Sequence, residues 1–70
     1  MEKIGLFNNL KTLRLQYHYT QRFVADKLGI TSQSYGAYEL GLNEPSISNL
    51  IKLADLYDIS LDELVGRKEY

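Results

Sequence analysis

Few side chains in this 70-residue chain are able to do chemistry, and they point away from bond-making. The chain has no cysteine and one histidine, His18, which excludes disulfides, thiolate zinc sites and multi-histidine metal sites within it. His18 has no carboxylate or nucleophile at a catalytic spacing, and no Gly-rich phosphate loop follows a strand. Asp62 and Glu63 are adjacent carboxylates, but neighbours on a helix point in different directions, and acids at a helix start are favoured by the dipole. What remains is a set of hydrogen-bonding side chains, Gln21, Ser32, Gln33 and Ser34, with the cations Arg22 and Lys27 among them and Asn43 just beyond. Such groups bind rather than catalyse, so neither an enzyme activity nor a cofactor is expected. Taken singly, Ser32 and Gln33 would also suit a solvated helix surface, so their meaning depends on the elements that hold them.

Those elements are legible between Thr20 and Gly41, in the stretch TQRFVADKLGITSQSYGAYELG. Val24, Ala25 and Leu28 share one helical face, Tyr35 and Tyr38 lie three apart on another, and Ile30 falls between them, so one small core can collect all six. The tyrosine spacing matches burial better than base stacking. Gly29 stands where the chain must leave the first helix through a left-handed conformation, and Ala25 stands where the two helices approach most closely. Two short helices joined by a tight turn, one face apolar and one polar, form the layout of a DNA-reading helix-turn-helix.

The rest of the chain supplies a scaffold for this pair. Leu6, Leu10, Leu13 and Tyr17, with Phe7 alongside, predict an amphipathic helix over about 5–17. Thr20 caps a helix over 20–28, with Tyr19 placed to staple onto Val24, and Thr31 caps another over 31–40 that stops at Gly41. After the loop LNEPS, Ser46 opens a helix over 46–57 whose stripe is Ile47, Leu50, Ile51, Ala54 and Tyr57, widened by Leu53 and Leu56. The capping-box pair Ser60 and Glu63 opens a last helix over 60–66, with Leu61, Leu64 and Val65 inward and Gly66 as its end. Residues 67–70 are expected to fray. No strand-like alternation, repeat or linker is present, so the expected fold is all-α, a compact five-helix bundle in one domain over 1–66.

Net charge is −1, which tempers a nucleic-acid reading, because DNA binders draw most of their nonspecific affinity from a basic footprint. The distribution restores it: residues 1–27 carry +3 and the remainder −4, so the acidic half is expected to turn away from DNA. A chain this short builds a core worth only a few kcal/mol, so self-association is expected to matter. No leader-like start is present and no apolar run approaches the roughly 18 residues that would span a bilayer, which predicts a cytoplasmic protein without a membrane partner.

The blocks LKTLR at 10–14, TQ at 20–21, VADKLGI at 24–30, YE at 38–39, EPS at 44–46, LIKLA at 50–54 and ISLDEL at 59–64 resemble, in that order, the phage repressor and Cro-type helix-turn-helix proteins, also called the xenobiotic-response-element type. VADK and the Gly36–Ala37 pair are similar to the amino-terminal domain of the lambda repressor. This resemblance implies a third helix in the major groove, with the second crossing above it. By position it gives Gln21 a phosphate to hold and sets Ser32, Gln33, Gly36 and Ala37 against base edges; Ser34, Arg22 and Lys27 suit phosphates, and Asn43 in the following loop can reach either. The chemistry agrees: a Gln amide pairs with adenine, Ser donates or accepts, an Ala methyl meets a thymine methyl, and Gly36 lets the helix sit deep. Leu40, Leu42 and Glu44 depart from the family, which often has Asn, Arg or Lys after this helix, and Phe23 occupies a normally polar position. The resemblance further implies an Arg14–Glu39 ion pair and a transcriptional repressor acting as a homodimer on a double-stranded DNA operator. The alternative is an interaction module of the same fold, whose protein partner is another regulator or a toxin.

Overall fold

Four of the five helices described for this chain begin where a side-chain oxygen replaces a missing intrahelical acceptor. In the structure, a computed structural model that describes residues 6–65 and, of their side chains, those from Asn9 to Leu64, five helices follow in order: α1 (Leu6–Gln16), α2 (Gln21–Leu28), α3 (Ser32–Leu40), α4 (Ile47–Tyr57) and α5 (Leu61–Val65). The backbone N–H groups of Phe23, Ser34 and Asn49 donate to the hydroxyls of Thr20, Thr31 and Ser46 at 3.0, 3.0 and 3.1 Å. These three hydroxyl residues are extended and lie just outside the helices they cap, so α2, α3 and α4 each start one residue later than the sequence suggests. At α5 the capping box closes both ways: Glu63 N–H donates to Ser60 Oγ at 3.1 Å, and Ser60 N–H to Glu63 Oε1 at 3.0 Å.

The first four helices end alike. The N–H groups of Tyr19, Ile30, Leu42 and Ile59 reach back to the carbonyls of Arg14, Ala25, Ala37 and Ala54 at 2.9, 3.0, 2.9 and 3.0 Å. Each closure needs a left-handed residue just before the donor, supplied by His18, Gly29, Gly41 and Asp58 with φ of 59°, 75°, 76° and 56°. The two glycines are visible in the sequence as stops, whereas His18 and Asp58 are not, because tertiary closure forces an ordinary L-residue into that region. This also ends α1 at Gln16 and leaves Tyr17, expected inside the helix, in the turn.

The core consists of Leu10, Val24, Ala25, Leu28, Tyr35, Tyr38, Leu53, Ala54, Tyr57 and Leu64, with Leu13, Tyr19, Ile30, Leu50, Leu56 and Ile59 packed against it. Its α4 stripe is Leu50, Leu53, Ala54 and Tyr57, so Ile47 and Ile51, expected inside, are exposed instead. Both registers satisfy a 3.6-residue period because α4 is apolar on most sides, and packing against α2 and α5 selects between them. Tyr17 and Leu61 are likewise more exposed than expected. Polar ties complete the frame. Asn9 Nδ2 donates to the carbonyls of Glu63 and Leu64 at 3.0 and 2.9 Å, Asn49 Nδ2 donates to Tyr38 Oη at 3.1 Å, and Tyr17 Oη donates to the Tyr57 carbonyl at 3.1 Å. The inward roles expected of Leu6, Phe7 and Val65 lie outside the described side chains, and the stop at Gly66 and the tail 67–70 lie outside the described residues. Among the described residues no helix is long and apolar enough to cross a membrane.

A Cβ on Gly29 would meet nothing within 4 Å, so glycine serves the backbone alone there. Gly29→Ala should therefore cost about 1–2 kcal/mol in urea unfolding without any clash. Asp58→Gly should move the other way, by up to about 1 kcal/mol, since relief of the left-handed strain exceeds the added chain entropy.

Candidate nucleic-acid interface

Burial of Tyr35 and Tyr38 against Val24, Ala25 and Leu28 fixes the rotation of α3 and thereby decides what it shows outward. Gly36, Ala37 and Leu40 lie three, four and seven residues after Gln33 and form the opposite stripe with it. Ser32, Gln33 and Ser34 are exposed, while Gly36 and Ala37 are half-buried. No charged side chain lies on this stripe, so a polar surface can approach it without burying an unpaired charge. Ser34 is partly committed: its N–H donates to Thr31 Oγ1, and its Oγ accepts from the Thr31 hydroxyl at 3.0 Å. Asn43 is exposed in the loop after α3, its own N–H turned back to the Ala37 carbonyl.

Arg22 and Lys27 are exposed on α2, and Lys27 Nζ sits 5.2 Å from the centre of the Phe23 ring, one turn back. Phe23 in turn stacks on Tyr19 with ring centres 4.5 Å apart, continuous with Tyr17 and Tyr57. The outward Phe23 thus has a structural use, as a seat for a cation and a cover for an aromatic cluster. By contrast Leu40, Leu42 and Ile47 stand 72–75% exposed.

Beneath α3 lies a buried charge. Glu39, with 5% of its side chain exposed, receives Arg14 in a two-pronged pair, Nε to Oε2 at 2.6 Å and Nη2 to Oε1 at 3.1 Å. Tyr35 Oη donates to the same Oε2 at 2.6 Å and Gln21 Nε2 to Oε1 at 3.1 Å, while Arg14 Nη1 also reaches the Tyr19 carbonyl at 3.2 Å. The expected Arg14–Glu39 pair is therefore present and extended by two donors, Tyr35 one turn back on α3 and Gln21 from α2. Burial pushes the Glu39 carboxyl upward, but the hydrogen bonds from Arg14, Tyr35 and Gln21 outweigh it and hold it below its ordinary value of 4.5. The bond to Glu39 raises Arg14 further, and burial first, then Glu39, raises Tyr35. Burial also pushes Tyr57 up to about 12, and its hydroxyl has no hydrogen-bond partner among the described residues.

The network bears on two of the sequence expectations. Arg14, counted with the basic half, points inward to Glu39, which leaves Lys11, Arg22 and Lys27 as the exposed cations of that half among the described side chains. Gln21, expected to hold a phosphate, has one amide proton engaged with Glu39, and its carboxamide lies beside Gly36. Among the described residues no group of three His, Cys, Asp or Glu could hold a metal ion.

Two capped helices, a tight glycine turn between them and an outward polar stripe on the second define a helix-turn-helix domain. The helix-turn-helix family profile matches residues 10–64, and the chain belongs to this family, in its phage repressor and Cro-type branch. It is 51% identical over 57 residues to the uncharacterized HTH-type transcriptional regulator YqaE of Bacillus subtilis, covering 81% of this chain and 49% of that protein. It is 45% identical over 58 residues to the cryptic phage CTXphi transcriptional repressor RstR of Vibrio cholerae, covering 83% and 52%. Among solved structures, a transcriptional regulator from Listeria innocua superposes with a TM-score of 0.92 at 28% identity, covering 99% of this chain and 64% of that one. The chain spans about half the length of these curated relatives.

Arg14→Ala leaves Glu39 buried and underpaired and should cost about 3–5 kcal/mol, enough to abolish a folded baseline in thermal melts. Because the folded Glu39 carboxyl titrates below its unfolded value, its contribution is complete above that value and is lost as pH falls through the folded one. Urea titrations below pH 4.5 should therefore show a component of acid destabilisation that disappears in Glu39→Gln.

Proposed function

We propose that this domain binds double-stranded DNA in a sequence-specific manner, as the DNA-reading part of a transcriptional repressor. The observation that supports this most is the uncharged, small-residue stripe of α3, Gln33–Gly36–Ala37, held outward by the buried Glu39 network. In this reading α3 enters the major groove. Ser32, Gln33, Gly36 and Ala37 meet base edges; Arg22, Lys27 and Ser34 hold phosphates; Asn43 reaches the backbone or a base from the loop. The repressor sign is drawn from relatives such as the phage repressor RstR. One such unit makes few base contacts, so the domain acts as a homodimer on two half-sites about 34–36 Å apart, one turn of DNA. Its site of action is the cytoplasm, and no cofactor takes part.

The exposed Leu40, Leu42 and Ile47 favour a second reading, in which that face meets a protein partner. Substitutions separate the two. Gln33→Ala should cost about 1–3 kcal/mol on the preferred duplex and relax preference at one base position. Arg22→Ala or Lys27→Ala should weaken all duplexes alike and lower the salt slope by about one for each phosphate contact removed. If Gln33→Ala and Ala37→Glu both leave duplex binding and site preference unchanged at low salt, α3 does not read DNA. The domain then acts through Leu40 and Leu42.

A further inference from the structure

Gly36 occupies the middle of α3 with a helical backbone, and glycine there carries a helix-propensity penalty relative to alanine. Nothing inside the fold requires it. A Cβ at this position would meet only Gln21, at 3.6 Å from Oε1 and 3.9 Å from Nε2, which are ordinary van der Waals distances. The place of a Gly36 side chain is thus flanked by the carboxamide of a residue from another helix.

The orientation of that carboxamide follows from chemistry. Its Nε2 lies 3.1 Å from Oε1 of Glu39, a carboxylate held ionised by Arg14, so the group facing it must be a donor. The nitrogen of Gln21 is therefore turned to Glu39, and a reversed amide would set two acceptors against each other. One Nε2 proton and the oxygen remain uncommitted by this bond. A phosphate, which offers acceptors alone, could use only the proton. An adenine edge in the major groove, an N7 acceptor beside an N6 donor, uses both.

We infer that Gln21, standing at the first position of α2, is a specificity-determining residue that reads adenine across the space left by Gly36, with Glu39 fixing its amide orientation. The inference rests on the DNA-binding reading above and deepens it: base information comes from α2 as well as α3, and Gly36 is small so that a base edge can come within reach of Gln21.

The test uses the preferred duplex, selected from random DNA, and a panel with each base pair changed in turn, in competition binding at several salt concentrations. The parent should prefer an A·T pair at one position by about 5- to 150-fold over its substitutions. Gln21→Ala should erase that preference alone and leave the salt slope unchanged. Gly36→Ala should lose preference at the same pair while melting no lower than the parent, and the double variant should show no further loss there. Should Gln21→Ala fold poorly for want of its bond to Glu39, Gln21→Lys takes its place, since lysine keeps a donor for Glu39 and lacks the amide that pairs with adenine. A uniform loss across all duplexes with a salt slope lower by about one would make Gln21 a phosphate ligand and overturn the inference while leaving DNA binding intact. Gly36→Ala with unchanged base preference would overturn it as well. Failure of the parent to bind any duplex would remove the DNA-binding reading and this inference together.

Discussion

A carboxylate withdrawn from water must be given donors, and at Glu39 that requirement organises the molecule. Its two oxygens take four hydrogen bonds, from Arg14 on α1, Gln21 on α2 and Tyr35 on α3 itself. Three helices are thereby tied at one point near the end of α3. Attraction between opposite charges is not the whole of it, because burying a pair costs much of what the pairing returns. The larger consequence is specificity of arrangement: any rotation of α3 that moved Glu39 would strand Arg14 and Gln21 together. Apolar contacts alone allow such slippage, as the two admissible registers of α4 illustrate.

The fixed rotation has a chemical product. With Tyr35 and Tyr38 inward and Glu39 held below, α3 presents amide, hydroxyl, methyl and bare backbone on its outer side. These are groups suited to reading an edge rather than to attracting a charge. The cations stand apart on α2, exposed and free to follow a phosphate backbone, and Lys27 is steadied over the Phe23 ring. Separation of the attracting groups from the reading groups is what a binder needs in order to distinguish sequences it approaches with equal force.

Much of this was legible in the residues. Thr20, Thr31, Ser46 and the Ser60–Glu63 pair announce helix starts through local hydrogen-bonding chemistry, and Gly29 and Gly41 announce stops, so the elements follow from short-range rules. The inward set of α2 and α3 is also readable, from the helical spacing of Val24, Ala25 and Leu28 and of Tyr35 and Tyr38. Less readable was whatever depends on long-range closure. Ile47 and Ile51 fit a helical stripe as well as Leu50 and Leu53 do. His18 and Asp58 carry no mark of a left-handed backbone. Asn9, Asn49 and the amide of Gln21 look like surface residues until the helices meet. The Arg14–Glu39 pair came from likeness to a family, and nothing in a separation of 25 positions would have supplied it.

The central claim is that the outer face of α3, fixed by Glu39, is what meets DNA. Titration of the selected duplex into isotopically labelled protein, followed by amide chemical shifts, tests it directly. The account predicts large shifts for the backbone of Gln21–Phe23 and Ser32–Ala37 and for the side-chain amides of Gln21 and Gln33, with α4 and α5 little changed. Shifts confined to Leu40–Ile51, with the amides of Ser32–Ala37 unmoved at saturation, would contradict it.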